Sequence, residues 1–116
     1  MDGIQLTERE YLIAIRAGVA IGSLAEVMDD LTGLASCYMT DGYTQEAADV
    51  LAFVLIQSET AVDTYETAQL LFEDLESRIC PRVILDAQTL AVSLTLDDVL
   101  EYVFAGESDE DDAVSA

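Results

Sequence analysis

The chain has 116 residues, the size of one domain with a single hydrophobic core. Hydrophobic residues make up 52% of it, so we expect a packed globule rather than a disordered chain. Aspartate and glutamate number 24 against four arginines, lysine and histidine do not occur, and the formal net charge is −20. This charge argues against direct binding to nucleic-acid phosphates or anionic membranes, and it favours a cationic partner.

Targeting signals and cysteines bear on where the protein resides. Residues 1–6 are predicted to be a flexible lead-in without the basic and apolar segments of a signal peptide. The longest apolar stretch, residues 50–56, falls short of the roughly 18 residues of a membrane span. Cys37 and Cys80 are interpreted as buried thiols rather than a disulfide. The sequence therefore favours a cytoplasmic location.

The first predicted helix runs over residues 8–21. Thr7 and Glu10 have the spacing of a capping box. Gly18 costs about 1 kcal/mol relative to alanine inside a helix, which indicates close approach of a neighbouring helix. Gly22 ends the helix. The side chains predicted to be mostly buried are Tyr11, Leu12, Ile15, Val19 and Ile21.

A second helix is predicted over residues 24–40, followed by a tight turn. Ser23 and Glu26 are predicted to form a second capping box, and Asp41 and Gly42 form the turn. The predicted core stripe consists of Val27, Leu31, Leu34, Ala35 and Tyr38.

A third helix, capped by Thr44, is predicted to run to about Gln57. Its apolar residues occur on every side, which is typical of a helix buried on more than one face. We therefore expect it to be the centre of the domain. The apolar residues are Val50, Leu51, Phe53, Val54, Leu55 and Ile56.

Three further helices complete the predicted domain, over about residues 62–79, from Pro81 to about Ala91, and over residues 96–104. Proline suits the first position of a helix, and Thr95 is predicted to cap the last one. Apolar residues at helical spacing in these segments are Tyr65, Ala68, Leu71, Phe72, Leu75, Ile79, Val83, Ile84, Ala87, Leu90, Ala91, Val99, Leu100 and Val103.

No strand-like alternation occurs, so the predicted fold class is all-α, an antiparallel helix-hairpin bundle of about six helices over residues 7–105. Residues 106–116 are strongly acidic and are predicted to form a disordered tail.

The spacing in the centre of the chain resembles a tetratricopeptide repeat, a helix-turn-helix unit of about 34 residues. Residues 14–22 resemble the second helix of a preceding repeat, and Glu59 stands where the repeat consensus has proline. The downstream residues are similar to the C-terminal end of repeat arrays in bacterial signal-transducing (STAND) ATPases and LuxR-type regulators. The residues that carry the central match are Ala35, Tyr38, Gly42 and Ala47.

By this resemblance, the second predicted helix would line a concave binding groove. The groove residues would be Asp29, Thr32, Ser36 and Thr40. Family members that clamp a peptide carboxylate use lysine, arginine or asparagine there, so the acidic groove implies a basic or neutral protein partner instead. The alternative interpretation is that these four residues are ordinary exposed polar positions.

Catalytic and metal chemistry find little support in the sequence. Without histidine the chain has no Ser/His/Asp or Cys/His nucleophile system, and two distant cysteines do not make a structural zinc site. A phosphate-binding loop and an EF-hand loop are also missing. Paired carboxylates are interpreted as solvated helix faces. We therefore predict a non-enzymatic protein with no cofactor and no metal.

Two functional hypotheses follow. The first is a protein–protein interaction module, either free-standing or the C-terminal cap of a larger array, with self-association left open. The second is an acidic DNA mimic that inhibits a nucleic-acid-binding protein, since twenty charges correspond to about 34 Å of duplex. Against mimicry, five of the acidic residues lie in the predicted tail. An enzyme using carboxylate chemistry is a third and weaker alternative.

Overall fold

The computed structural model describes the backbone of residues 7–115 and the side chains of residues 7–105. This part of the chain is all-α, which confirms the predicted fold class. The predicted lead-in, residues 1–6, lies outside the described residues. The helices are α1 (Glu8–Ile21), α2 (Leu24–Thr40), α3 (Thr44–Leu55), α4 (Val62–Glu76), α5 (Pro81–Ser93) and α6 (Leu96–Ser115).

The first two helices have the predicted bounds, and they pack closely on each other. The Thr7 hydroxyl accepts from the Glu10 amide at 3.2 Å while the Glu10 carboxylate accepts from the Thr7 amide at 2.8 Å, so the capping box is confirmed. A Cβ added to buried Gly18 would lie 2.9 Å from Val27 Cγ2. The predicted close helix approach at Gly18 is therefore confirmed.

The turn between α2 and α3 is also confirmed, whereas the predicted cap at Thr44 is wrong, and Ser23 is the N-cap of α2 as predicted but does not form the predicted capping box. Gly42 has a φ of 89°, and the Tyr43 amide donates to the Tyr38 carbonyl at 2.8 Å across the turn. Thr44 is the first residue of α3 rather than its cap. Ser23 makes no side-chain cap bond, because its ψ of 82° departs from the extended backbone that lets Thr7 reach its amide.

The third helix is the centre of the domain, as predicted. Residues 47–54 are all buried, and α3 packs against α2, α4 and α5. The helix ends at Leu55 instead of Gln57, because the chain tightens into i→i+3 bonds and the Thr60 hydroxyl donates to the Val54 carbonyl at 2.8 Å. Ile56 lies in this exit turn and is exposed, which corrects its predicted burial.

The helices after α3 pack differently from a row of hairpins. In the described part of the chain, α4 and α5 both pack mainly against α3 and make little direct contact with each other. Helix α4 ends at Glu76 rather than residue 79, where the Ser77 hydroxyl donates to the Asp74 carbonyl at 2.7 Å. Helix α5 begins at Pro81 as predicted.

Helix α6 returns to the beginning of the chain. The Thr95 hydroxyl accepts from the Asp98 amide at 3.2 Å, which confirms the predicted cap. The Arg16 guanidinium lies 4.5 Å from the centre of the Phe104 ring, joining α1 to α6. The helical backbone continues to Ser115, past the predicted end at Phe104. Side chains beyond Ala105 lie outside the described ones, so the disordered tail stays a prediction.

Several predicted core residues are exposed, because each outer helix packs on one side only. Ile21, at the last position of α1, is 74% exposed. The others are Val19, Tyr65 and Leu90.

The structure also bears on the predictions about the two thiols and about membrane spans. Cys37 and Cys80 are not joined in a disulfide, but Cys80 is exposed and so corrects the prediction of two buried thiols. None of the helices, within the part of the chain described, has the length and apolar character needed to cross a bilayer.

Candidate functional site

The four residues predicted to line a groove lie along one side of α2 but differ in exposure. Asp29 and Thr40 are exposed, Ser36 is half-buried, and Thr32 is only 3% exposed. The Thr32 hydroxyl donates to the Met28 carbonyl at 2.9 Å, within its own helix. Because Thr32 is buried and already bonded, it is not placed to contact a partner. A groove at the remaining three residues stays a prediction.

The N-terminal half of this face contacts α4. Asp29 Oδ1 accepts a hydrogen bond from the hydroxyl of buried Thr64 at 3.2 Å. Burial raises the pKa of the neighbouring Asp30, and the charges of Asp29 and Glu26 add to the rise. This half of the predicted groove thus lies beside α4 although Asp29 itself is exposed, and Thr40 is exposed at the other end.

A second polar group lies where α2, α3 and α6 meet. The tight turn folds the end of α2 beside the beginning of α3, and Tyr102 of α6 is hydrogen-bonded to Asp49 of α3. We call this group the tyrosine–acid cluster. Its members are Tyr38, Tyr43, Glu46, Asp49 and Tyr102.

Asp49 is the centre of the tyrosine–acid cluster and the one buried carboxyl group among the described side chains, at 7% exposed. Its Oδ1 accepts from Gln45 Nε2 at 3.0 Å, and its Oδ2 accepts from the Tyr102 hydroxyl at 3.1 Å. Burial raises the pKa of Asp49, the two hydrogen bonds lower it, and the charges of Glu46 and Asp86 raise it again. The net direction is upward.

The tyrosine hydroxyls of the cluster lie in a negative field. Burial, followed by the charges of Glu8 and Glu46, raises the pKa of Tyr38 from 10.0 to about 12. Burial also raises the pKa of Tyr102, and the charges of Asp49 and Glu46 add to the rise. Both hydroxyls therefore stay protonated at neutral pH, so Tyr102 remains a hydrogen-bond donor to Asp49.

Part of the cluster is open to solvent. Tyr43 is 52% exposed and Tyr102 is 43% exposed, while Glu46 is half-buried. The rings of Tyr38 and Tyr43 meet edge to face, with centroids 6.2 Å apart and an interplanar angle of 85°. The cluster thus combines exposed aromatic rings with nearby carboxylates, a combination that attracts organic cations.

Metal binding finds no support in the geometry. Within the part of the chain that the structure describes, no group of three or more cysteine, aspartate or glutamate side chains is arranged to hold a metal ion. The side chains of the tyrosine–acid cluster can form hydrogen bonds and cation–π contacts, and their carboxylates attract cations.

Sequence reasoning did not single out the tyrosine–acid cluster. One signal was available, since Asp49 interrupts the apolar run of the most hydrophobic helix, and a buried acid there needs partners. Gln45 lies one helical turn before Asp49 and is a natural donor. Tyr102, 53 positions away, could not be identified from the spacing.

Comparisons with known proteins add no relative. No protein-family model matches the chain, and neither a curated protein nor a solved structure matches it. The resemblance to tetratricopeptide repeats therefore depends on the residues quoted above.

Proposed function

We propose that this protein is a non-catalytic module that binds a basic region of a protein partner. The observation that carries the proposal is the acidic surface: Asp49 is the one buried carboxyl group among the described side chains, so the other described acidic side chains are at least partly exposed, in a chain whose net charge is −20. Such a surface speeds association with cationic partners and disfavours acidic ones.

We further propose a repeat-like relationship for α1, α2 and α3 only. These helices pack in sequence, and the matching small residues Ala35 and Ala47 are fully buried. Helices α4 and α5 argue against extending the relationship, because the two helices of a repeat normally pack on each other, whereas these pack mainly on α3. In this proposal α4 to α6 close the domain, as the C-terminal cap of an array would.

The alternative is a DNA mimic, and the dimensions of the protein are compatible with this hypothesis. The molecule is 40 Å long in its greatest dimension, and its twenty net charges correspond to about 34 Å of duplex DNA. A mimic needs only carboxylates at its contact surface, however. The exposed tyrosines of the tyrosine–acid cluster instead suit a protein partner, because tyrosine is enriched at protein interfaces.

Affinity capture followed by competition tests the proposal. The purified protein is immobilised, proteins captured from its native lysate are identified, and duplex DNA or increasing salt is then added. We expect a captured protein with a basic segment that salt releases and DNA does not. Release by duplex DNA would favour the mimic. Capture of no protein with a basic segment would contradict both hypotheses.

The predicted groove is tested in the same assay. Ser36→Arg introduces a positive charge at the open end of the α2 face, and we compare it with Thr67→Arg on the exposed side of α4. If the groove binds the basic partner, Ser36→Arg weakens capture and Thr67→Arg does not. Equal capture by both variants would place the partner elsewhere on the protein.

A further inference from the structure

We propose that the tyrosine–acid cluster is the surface that receives the partner, and that it binds an arginine side chain. The inference rests on the proposed function and names where on the protein the basic partner is recognised. It is carried by three properties of the cluster: exposed tyrosines, nearby carboxylates and a buried anchor.

The first property is the pair of exposed rings. Tyr43 precedes the first residue of α3, Tyr102 of α6 is hydrogen-bonded to Asp49 of α3, and both tyrosines are exposed. Tyr38 packs edge to face against Tyr43 and so restricts the orientation of that ring. A planar guanidinium stacks on tyrosine faces and is more weakly hydrated than an ammonium group, which favours arginine over lysine.

The second property is the convergence of carboxylates from different helices. The charge of Glu46 raises the pKa of both Tyr38 and Tyr102, and the charge of Glu8 of α1 raises the pKa of Tyr38. The charge of Asp86 of α5 raises the pKa of Asp49. A cation that contacts these tyrosines is therefore attracted by Glu46 of α3 and, near Tyr38, by Glu8 of α1.

The third property is that a hydrogen bond to buried Asp49 anchors Tyr102. Its hydroxyl donates to Asp49 Oδ2, and the other oxygen of Asp49 accepts from Gln45. Because Asp49 is buried in the central helix, the ring of Tyr102 is held in place before any partner arrives. Binding to such a preorganised surface costs less conformational entropy than binding to mobile side chains.

Binding of a defined peptide tests the inference. The probe is a short capped peptide of alternating glycine and arginine, titrated into the full-length protein at low salt and followed by calorimetry. We expect Tyr43→Ala to weaken binding by about three- to tenfold, the range expected for losing one cation–π contact. The matched control is Tyr65→Ala, an exposed tyrosine on α4, which should leave the affinity unchanged.

A second pair of variants guards against loss of folding in Tyr43→Ala. Glu46→Gln removes a charge from the cluster without changing the size of the side chain, and Glu66→Gln removes one from the exposed side of α4. We expect Glu46→Gln to weaken binding more than Glu66→Gln does, and the lysine version of the peptide to bind more weakly than the arginine version. Circular dichroism confirms the helical content of each variant.

The outcomes separate this inference from the proposed function. If the peptide binds but each cluster variant behaves like its α4 control, the cluster is not the arginine site, while the basic partner stays supported. If the peptide does not bind even at low salt, the proposed function itself is contradicted. If the cluster variants alone weaken binding and the lysine peptide is inferior, the arginine site is supported.

Discussion

Two carboxylates of this protein accept a hydrogen bond from a hydroxyl group on a later helix, in very different surroundings. Asp29 is exposed on α2 and accepts from Thr64 of α4. Asp49 is buried in α3 and accepts from Tyr102 of α6 as well as from Gln45. Water can reach the Asp29 carboxylate but has little access to the Asp49 carboxylate. The same type of contact therefore has a local role at Asp29 and a structural one at Asp49.

The largest expected effect concerns the core around Asp49. Leu51 is fully buried on α3, two positions after Asp49. Leu51→Ala should lower the free energy of unfolding by about 2–5 kcal/mol, because it leaves a cavity in the central helix. Denaturant melts measure this loss. A loss below about 1 kcal/mol, the size of an ordinary mutation, would show that α3 is not the rigid base that the comparison assumes.

The comparison itself predicts unequal costs for removing the two acids. Asp49→Ala should lower the free energy of unfolding by about 1–3 kcal/mol, since it removes two hydrogen bonds accepted by a carboxyl group that is only 7% exposed. Asp29→Ala should cost about 0.5–1 kcal/mol, the net value of one hydrogen bond whose acceptor is exposed. Denaturant melts of the two variants under the same conditions measure both losses. Equal losses of unfolding free energy would contradict the different roles given to Asp29 and Asp49.

The dependence of stability on pH tests the burial of Asp49 in a second way. The pKa of Asp49 is higher in the folded protein than in the unfolded chain, so the folded state binds the proton more tightly. Its contribution to stability is therefore present below the unfolded value of about 3.9 and is lost as the pH rises through the folded value. We expect the melting temperature to fall as the pH rises toward neutral, and to fall less in Asp49→Asn.

Asp30 provides the control for this pH dependence, because its pKa is raised in the same direction by burial and by its acidic neighbours. The effects of Asp30→Asn and Asp49→Asn should add in the double variant, since the two groups belong to different clusters. A pH dependence that survives both substitutions would assign it to the general negative charge instead.

Salt should give the smallest effect per residue. A net charge of −20 repels itself in the compact state, and the screening length falls from about 10 Å at 0.1 M salt to about 3 Å at 1 M. The melting temperature should therefore rise with sodium chloride concentration. Asp29→Asn should reduce this slope slightly because Asp29 is exposed, whereas Asp49→Asn should change it less. The reverse order would mean that salt reaches the buried carboxyl group.

The sequence by itself determined the local features of the protein. The bounds of α1 and α2, the capping residues Thr7 and Thr95 and the glycine turn before α3 were predicted correctly. Each depends on residues within about one helical turn of each other, where periodicity and capping are decided. The burial of α3 was also predictable, because apolar residues on every side of a helix leave no face for water.

The tertiary structure alone decided which faces meet. It placed α4 and α5 on α3 instead of on each other, buried Thr32 and left Ile21 exposed. A Cβ added to Gly33 would overlap the ring of Tyr11, a close approach that spacing did not indicate. The contact of Tyr102 with Asp49 likewise joins residues 53 positions apart. Such contacts depend on how whole helices pack, and a helical pattern specifies an apolar face without specifying the helix that covers it.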